Sequence, residues 1–311
     1  MKTYPKASSF DANIPTVITI GTFDGVHVGH RKIIERLVNS AKESNLESAL
    51  LTFFPHPRMV LQQSTDLRLI NTIEERKSIL SSTGLEHLII HPFTRAFSRL
   101  TARQYVEEFL IEKLNAKKII IGYDHRFGRN RTADILDLKK FAKEFNFEVE
   151  EISKQDIEDV GISSTKIRTA LEKGDIEKAN QYLSSSFLLS GEVVRGKGLG
   201  KGLGYATANI FIKEKYKLIP ENGVFVVQSK INGTRQNGMM NIGTNPTVGG
   251  VEQSIEVHFL DYNQDLYGQE LQIEVLHRIR GEVNFGSIDN LKNAMQNDEL
   301  YTRDYFNRIH K

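Results

Sequence analysis

The 311-residue sequence contains no cysteine. This absence excludes disulfides, thiolate zinc sites, iron–sulfur clusters and a cysteine nucleophile, and it leaves hydroxyls, imidazoles, carboxylates and guanidiniums for chemistry. No apolar run approaches the roughly 20 residues that span a bilayer. The first residues also lack an apolar signal segment. A net charge of +2 does not call for a polyanionic partner. We therefore expect a cytoplasmic protein with no membrane or nucleic-acid partner.

The length and pattern of the chain favour two domains, because 311 residues exceed the usual size of a single hydrophobic core. Up to about residue 183, short apolar runs alternate with amphipathic stretches. This alternation predicts an α/β domain with a parallel sheet, which binds ligands at the carboxyl ends of its strands. The predicted strands are 16–20, 48–54, 87–91, 118–122 and 147–152. Two predicted helices carry the apolar stripes Ile33, Ile34, Leu37, Val38, Ala41 and Val106, Phe109, Leu110, Leu114.

After the three serines at 184–186, the pattern changes to strands without intervening helices. Asn232-Gly233 between two of these strands is a strong hairpin signal. The pattern predicts a small antiparallel β-barrel, with an amphipathic helix at 288–309 packed on its outside. The predicted strands are 188–194, 206–212, 224–231, 239–242, 254–260 and 271–276. We predict domains at residues 1–183 and 187–311.

A segment rich in glycine and histidine, GTFDGVHVGH at residues 21–30, lies between a predicted strand and a predicted helix. His27 and His30 flank Gly29, so both imidazoles can face a ligand at the helix N-terminus, where free N–H groups and the helix dipole favour phosphate. The same residues also fit an ordinary turn capped by Asp24 with two surface histidines. Zinc is a poorer interpretation, because no third ligand lies at helical spacing.

A second polar segment, GISSTKIR at residues 161–168, stands at another predicted helix start. Ser163 or Ser164 suits an N-cap, so an ordinary capped helix explains the serines alone. Hydroxyls and free N–H groups together with Lys166 and Arg168 suit a triphosphate better than a cap requires.

A third segment, GYDHRFGRNR at residues 122–131, follows a predicted buried strand. Its glycines, arginines and aromatic residues lie at the carboxyl end of that strand. Such a loop is well placed to bind a nucleotide or a flavin.

Together the three segments resemble the nucleotidylyltransferases marked by His-x-Gly-His, and in particular the adenylyltransferase module of bacterial bifunctional riboflavin kinase/FAD synthetases. The resemblance covers about residues 14–183. The motifs Gly-x-Phe-Asp-Gly-x-His-x-Gly-His and Ser-Ser-Thr-x-Ile-Arg match fully. The middle motif departs, with His125 in place of the usual Phe and Ala133 in place of a common Gly.

The resemblance implies a Rossmann-like domain that transfers AMP from ATP to FMN. Because the FMN phosphate is already ionised at neutral pH, it can attack the α-phosphorus without a general base, and catalysis becomes positioning plus charge stabilisation. Mg²⁺ is expected mainly on the phosphates. The implied catalytic residues are His27, His30 and Arg168. The implied ATP ligands are Gly21, Phe23, Asp24, His27, His30, Ser163, Ser164, Thr165 and Arg168, and the implied flavin contacts are Asp124, Arg126 and Phe127.

The predicted barrel opens on a glycine-rich segment, GEVVRGKGLGKGLG at residues 191–204. Neither Gly-x-x-x-x-Gly-Lys-Ser/Thr nor Gly-x-Gly-x-x-Gly fits it in register, and it leads into a strand instead of a helix. Its composition also fits a flexible linker. The next strand carries Thr207 and Asn209 on one face. A hydroxyl and an amide oxygen so placed could ligate one magnesium ion beneath a glycine flap.

A later predicted strand alternates apolar and polar residues. Ile255, Val257 and Phe259 share one face, and Glu256 and His258 share the other. Glu256 fits a plain solvent-facing residue. It also suits the base that a kinase acting on a neutral alcohol needs, aimed into the mouth of the barrel.

These features are similar to the riboflavin kinase domain over about residues 187–310. Further matches are the Asn-Pro-Thr turn at 245–247, Asp-Leu-Tyr-Gly at 265–268 and Arg-x-Glu-x-x-Phe at 280–285, while Ala206 replaces the usual Pro of Pro-Thr-Ala-Asn. The resemblance implies that Thr207 and Asn209 handle Mg-ATP and that Glu256 activates the riboflavin 5′-hydroxyl. It also implies Gly198, Gly200 and Lys201 as ATP contacts, and Arg280, Glu282 and Phe285 as flavin contacts.

The two sets of motifs together predict that the chain makes FAD from riboflavin in two ATP-dependent steps, with FMN as the intermediate and ADP and pyrophosphate as by-products. One alternative is a front domain that transfers AMP to another phosphate or carboxylate. Another is a flavin-binding regulator or carrier with an inactive kinase. The sequence leaves the oligomeric state open.

Overall fold

The computed structural model describes residues 1–62, 66–123, 125–153, 161–196, 204–247 and 250–309. The chain forms two compact units, one made of Met1–Arg68 and Arg76–Ser163 and the other of Leu69–Glu75 and Ser164–Lys311. The domains predicted at residues 1–183 and 187–311 stay a prediction. Within the described ranges, no helix is both long enough and apolar enough to cross a membrane.

The first unit is built on a six-stranded sheet. Its strands are β1 (Lys2–Tyr4), β2 (Thr16–Ile20), β3 (Glu47–Phe53), β4 (His87–His91), β5 (Ala116–Gly122) and β6 (Glu148–Ile152). Every pairing is parallel, and the order is β1-β4-β3-β2-β5-β6. The five predicted strands are confirmed, with ends within two residues of the observed ones. Strand β1 was not predicted, because three residues are too short to show an alternating pattern.

Helices cover both faces of this sheet, as the alternation of strand and helix predicts. Ile18 of β2 packs in one apolar cluster with Phe109, whereas its neighbour Val17 packs in the opposite cluster with Leu37. The helices are α1 (Val28–Ser44), α2 (Pro57–Leu61), α3 (Ile73–Ser81), α4 (Ala102–Gln104), which continues as a π-helical stretch (Tyr105–Ile111), and α5 (Ile135–Phe145). Single 3₁₀ turns occur at Ala7–Ser9, Phe97–Arg99 and Arg129–Arg131.

The strand order places a topological switch point between β2 and β5. From β2 the chain builds the sheet outwards through β3 and β4, and it then returns to the other side of β2 with β5. In sheets of this kind, the crevice outside the carboxyl ends of the two strands at the switch point binds the ligand. Two of the three predicted motifs, at 21–30 and 122–131, begin at these two strand ends.

The second unit is a closed six-stranded barrel. Its strands are β7 (Phe187–Val194), β8 (Ala208–Phe211), β9 (Gly223–Ile231), β10 (Thr234–Thr247), β11 (Gly250–Phe259) and β12 (Glu270–Gly281), and its helices are α6 (Ser164–Glu172), α7 (Ile176–Leu183) and α8 (Ile288–Ile309). All pairings are antiparallel, in the cyclic order β10-β11-β8-β7-β12-β9. Asn232 (φ 50°) and Gly233 (φ 82°) form the predicted hairpin turn. The predicted barrel and final helix are therefore confirmed.

Apolar side chains fill the interior of the barrel. Ile255, Val257 and Phe259 are 6%, 0% and 4% exposed, and they alternate with the more exposed Glu256 and His258. The polar face of β11 is consequently the outer face of the barrel wall.

Candidate active sites

In the first unit, the loop after β2 carries the predicted histidine pair. His27 is the N-cap of α1, and its side chain accepts a hydrogen bond from the backbone N–H of His30 (3.4 Å) through Nδ1. The N-cap is therefore the imidazole of His27 and not the carboxylate of Asp24. Because Nδ1 is an acceptor, the neutral His27 ring carries its proton on Nε2, which remains as a donor.

The two imidazole rings stack. Their centroids lie 3.7 Å apart and their planes differ by 19°. Gly29 permits this arrangement, since a Cβ at that position would lie 3.3 Å from Cε1 of His27. The rings of Phe23 and His30 are also in contact, at 4.8 Å between centroids. The sequence motif therefore builds one aromatic cluster at the helix N-terminus.

Burial keeps both imidazoles neutral at neutral pH. Desolvation lowers the pKa of His27 to about 4, against a smaller opposing effect of Asp24. The pKa of His30 also lies well below its usual range, chiefly through burial and further through His27 and Arg76. His30 Nδ1 is buried and has no hydrogen-bond partner among the described residues. A neutral, partly unsatisfied imidazole beside a helix N-terminus is suited to a phosphate ligand.

Arg76 of α3 holds the same loop in place through contacts with two of its residues. It donates to the carbonyl oxygen of Thr22 (2.8 Å) and lies 3.5 Å from Oδ1 of Asp24. Asp24 and Arg76 are 1% and 2% exposed. The loop has positive φ at two residues other than glycine, Phe23 (47°) and Val26 (42°). Such backbone persists only where its surroundings enforce it, and the Arg76 contacts supply part of that enforcement.

The other predicted ATP ligands are divided between the units. Gly21 lies in the loop after β2, where a Cβ would come within 2.9 Å of the Phe23 ring. Ser163 ends the first unit. Ser164, Thr165 and Arg168 lie in α6, the first helix of the second unit.

The loop after β5 carries the predicted flavin contacts of the first unit. Arg126 is exposed. Phe127 is 6% exposed, and its ring packs in the apolar core, 5.8 Å from that of Tyr105. Its backbone pairs with Ala133 in both directions, at 3.1 and 3.2 Å. Phe127 therefore supports the loop from the core, and its role as a flavin contact stays a prediction. Asp124 lies outside the described residues.

The second unit has a cavity of about 600 Å³, within the range of small-molecule sites. It is bounded by the outer face of the barrel, the loop at 282–287 and helix α8. The lining residues are Thr207, Val224, Met239, Met240, Asn241, Glu256, His258, Arg280, Glu282, Val283, Asn284, Phe285, Gly286, Ser287, Ile288, Leu291, Met295 and Asp298.

The position of this cavity corrects one expectation. Glu256 was expected to point into the mouth of the barrel, but its side chain lines a cavity on the outside of the wall. The reason is packing: apolar side chains such as Val257 fill the inside of a barrel this small and leave no room for a ligand there.

Three of the predicted kinase residues lie close together, and two of them, Thr207 and Glu256, line the cavity. The Thr207 hydroxyl donates to Oε2 of Glu256 at 3.1 Å. Asn209 is the direct cross-strand partner of Glu256, so both side chains lie on the same face of the sheet. The Asn209 amide is packed against Gly196, where a Cβ would come within 2.2 Å of Nδ2. A hydroxyl, an amide and a carboxylate therefore converge beside the start of the glycine-rich segment.

The predicted flavin contacts line the same cavity. Arg280 ends close to the Phe285 ring, with Cζ 5.1 Å from the ring centroid. Glu282 accepts a hydrogen bond from Asn222 Nδ2 at 2.9 Å. The glycine-segment residues Gly198, Gly200 and Lys201 lie outside the described residues.

Sequence reasoning missed several cavity and loop residues. Asn241, Asp298 and the methionines Met239 and Met295 line the cavity, and Arg76 braces the histidine loop. Asn241 opens the segment at 241–247 that ends in the Asn-Pro-Thr match, and the others stand in no motif. Among the described residues, no group of three or more histidine or acidic side chains is arranged to hold a metal ion.

Comparisons with known proteins match both halves of the chain. The FAD synthetase family model matches residues 9–166, and the riboflavin kinase family model matches residues 183–306. The bifunctional riboflavin kinase/FMN adenylyltransferase of Escherichia coli K12 is 35% identical, over 93% of this chain and 92% of that protein. The Bacillus subtilis protein of the same description is 33% identical, over 99% and 98%. A Streptococcus pneumoniae structure described as a macrolide-efflux protein has a TM-score of 0.87 and 31% identity, over 97% of this chain and 98% of that one.

Proposed function

Because the chain belongs to the family of bifunctional riboflavin kinase/FMN adenylyltransferases, we propose specific residues of the two units for its two reactions. The chain phosphorylates riboflavin to FMN in its C-terminal part and transfers AMP from ATP to FMN, giving FAD and pyrophosphate, in its N-terminal part. The observation that carries the residue assignment is the cavity of about 600 Å³ on the barrel, which Thr207, Glu256 and Arg280 line together.

In the kinase reaction, Glu256 is the base. Its carboxylate lines the cavity and already accepts a hydrogen bond from a hydroxyl, that of Thr207 at 3.1 Å. The carboxylate accepts the proton of the riboflavin 5′-hydroxyl, the freed oxygen forms a bond to the γ-phosphorus of ATP, and the bond between that phosphorus and ADP breaks.

Thr207 and Asn209 are the residues that would hold Mg²⁺ with ATP. Magnesium takes oxygen ligands and usually keeps water and substrate phosphates in its coordination shell. One hydroxyl and one amide oxygen on the face that also carries Glu256 fit that requirement, and Gly196 lets the backbone approach the amide closely. When bound, the ion supplies charge neutralisation for the transferring phosphoryl group. Gly198, Gly200 and Lys201 are the proposed flap over the phosphates.

In the adenylyl transfer, His27 and His30 bind the ATP phosphates together with the free N–H groups of α1. A phosphate oxygen of FMN forms a bond to the α-phosphorus, the bond from that phosphorus to pyrophosphate breaks, and no proton needs to move. The neutral imidazoles donate hydrogen bonds to oxygens on which negative charge increases. The buried, unpartnered Nδ1 of His30 supports a ligand at this position.

The remaining assignments are carried by the family motifs. Gly21, Phe23 and Asp24 are proposed to shape the phosphate loop, and Asp124 and Arg126 are proposed as flavin contacts. By the same motifs, Ser163, Ser164, Thr165 and Arg168 are proposed as ATP contacts; the FAD synthetase match extends to residue 166. Riboflavin, FMN and ATP are the proposed ligands. The cytoplasmic location and the absence of a nucleic-acid partner stay predictions.

If the two reactions take place at separate sites, a substitution in one site should abolish one activity and leave the other intact. Purified full-length protein is given riboflavin, ATP and Mg²⁺, or FMN, ATP and Mg²⁺, and FMN and FAD are resolved by chromatography over time. Glu256→Gln should lower FMN formation at least about 100-fold and leave FMN-to-FAD conversion intact. His30→Ala or Arg168→Ala should have the reverse effect. Chelation of Mg²⁺ should stop both reactions.

Glu270→Gln on the exposed part of β12 is the matched control and should change neither rate. Loss of both reactions in a folded Glu256→Gln protein would contradict the residue assignment. Failure of the wild-type chain to convert FMN while it adenylylates another phosphate ester would contradict the proposed acceptor.

A further inference from the structure

Helix α8 contributes one buried carboxylate to the wall of the kinase cavity. Asp298 is 5% exposed, and it faces the fork of Arg280, whose Nε and Nη2 donate to Oδ1 and Oδ2 at 3.0 and 2.7 Å. Nε also lies 3.2 Å from Oδ2. Bidentate pairs of this kind fix the plane of the guanidinium as well as its distance. Asp298 therefore sets the orientation of Arg280.

The oriented guanidinium supports an aromatic ring. Cζ of Arg280 lies 5.1 Å from the centroid of Phe285, within the range of a cation–π contact. Phe285 is half-buried in the loop at 282–287, which joins β12 to α8. Nη1 of Arg280 donates to the carbonyl oxygen of Gly281 (3.2 Å) at the start of that loop. One side chain thus connects the helix, the beginning of the loop and the ring in its middle.

These hydrogen bonds give Arg280 a structural role in the wall of the cavity. Nε, Nη1 and Nη2 each donate to Asp298 or to Gly281, so at least three of the five N–H groups of the guanidinium hold it in place. Phe285 lines the same cavity with a planar apolar ring, and a planar aromatic ligand gains from stacking or edge contact with such a ring.

We propose that Asp298 is a positioning residue of the riboflavin kinase site, which acts through Arg280 to hold Phe285 against the flavin ring system. The proposal rests on the kinase function proposed above. Without the carboxylate, Arg280 loses its fixed plane and Phe285 must be ordered when riboflavin binds. Ordering one such side chain on binding weakens affinity by about 2- to 12-fold.

The experiment compares Asp298→Asn with wild type in the full-length chain. KM for riboflavin and the riboflavin dissociation constant, measured from flavin fluorescence, should both rise about 2- to 12-fold. The kinase kcat, KM for ATP and FMN-to-FAD conversion should stay unchanged. Asp304→Asn is the matched control, because Asp304 lies on the same helix in an exposed pair with Arg308, and it should alter none of these quantities.

A double-mutant cycle with Phe285→Leu tests whether the effect passes through the ring. If Asp298 acts through Phe285, the riboflavin effect of Asp298→Asn should largely vanish in the Phe285→Leu background. Full additivity, an unchanged riboflavin KM, or a fall in kcat alone would each overturn the proposal.

A second variant covers the case in which Asp298→Asn does not fold. Arg280→Lys keeps the buried carboxylate paired but loses the planar fork, and it should raise the riboflavin KM to a similar degree; an unchanged KM would overturn the proposal. Absence of FMN formation by the wild-type chain would instead refute the kinase function itself, so the two failures are distinguishable.

Discussion

A fully buried ion pair in the second unit makes a sharp prediction about stability. Nζ of Lys217 lies 2.6 Å from Oε2 of Glu75, and neither side chain has solvent exposure. The ammonium also donates to the carbonyl oxygens of Ile70 and Leu188, both at 2.6 Å. It lies 4.3 Å from the ring centroid of Phe187. The ammonium is therefore well satisfied, whereas Oε1 of Glu75 is buried without a hydrogen-bond partner among the described residues, and neither charge reaches water.

Removing only the negative charge of Glu75 should lower the free energy of unfolding, because the buried ammonium of Lys217 then has no counter-charge. Breaking a buried pair by removing one partner typically costs about 3–5 kcal/mol, because the other charge is left uncompensated. In Glu75→Gln the amide oxygen can still accept from Lys217 and from the backbone N–H of Thr72, which Glu75 caps at 2.9 Å. We therefore expect the lower end, about 3 kcal/mol. For a unit of this size, that corresponds to a fall in Tm of roughly 6–12 °C.

The assay must report on the second unit, since two compact units need not unfold together. Full-length variants are heated, and residual riboflavin phosphorylation and FMN adenylylation are measured separately, with calorimetry for the free energy of unfolding. Kinase activity should be lost at the lower temperature in Glu75→Gln. Glu270→Gln, at an exposed glutamate of the same unit, is the matched control and should unfold like wild type.

A second substitution identifies the source of the loss. Lys217→Met removes the unpaired charge and keeps an unbranched side chain of similar length, so the double variant Glu75→Gln/Lys217→Met should recover at least half of the lost stability. The reasoning is refuted if the double variant is no more stable than Glu75→Gln alone, or if Glu75→Gln itself costs less than about 1 kcal/mol.

Two further predictions concern the first unit. Burial lowers the pKa of His27 and of His91 from 6.5 to about 4. Between these two pH values the unfolded chain therefore binds more protons than the folded chain. The free energy of unfolding should fall as the pH falls from about 6.5 to about 4, by at most about 1.4 kcal/mol per pH unit for each histidine. Urea unfolding at pH 7 and pH 5 checks this, and His91→Asn should make the loss shallower; an equal loss in that variant would contradict it. Arg76→Lys cannot keep the contacts of both Nη atoms with Thr22 and Asp24, so adenylyl-transfer kcat should fall about 10- to 100-fold, while riboflavin phosphorylation stays at the wild-type rate. Equal losses in both reactions would show a global defect instead.

The elements of the fold were predictable wherever a local rule determines them. The amphipathic pattern located α8 at Ile288–Ile309, and Asn232-Gly233 located the hairpin between β9 and β10. Alternation along β11 separated Glu256 and His258 from the buried Val257. These features depend on residues within a few positions of one another, and such patterns can be read without knowledge of the partner element.

Side chains whose role depends on distant partners were not predictable. Arg76 stands in an ordinary polar stretch, and its contacts are with Thr22 and Asp24, more than 50 residues away. Asp298 is one acidic residue in a helix with several others, and only its pairing with Arg280 distinguishes it. The alternation of apolar and polar residues shows that the two faces of a strand differ. It does not show which face lines a ligand cavity, so the side of the barrel wall that carries the cavity was not predictable either.

The segment Leu69–Glu75 shows why a charge pattern cannot report burial. Thr72 and Glu75 form reciprocal side-chain to backbone hydrogen bonds, a signal for a helix start, yet nothing local indicates that these residues group with the barrel unit. Lys217 stands among lysines and a glutamate at 213–217, where composition favours a solvated surface. Its burial follows from Glu75 and two carbonyl groups that meet it only in the folded unit. A charge is tolerated in an interior only with such partners, so the environment that decides between surface and core belongs to the tertiary structure. The comparison of Glu75→Gln with Glu75→Gln/Lys217→Met measures that environment.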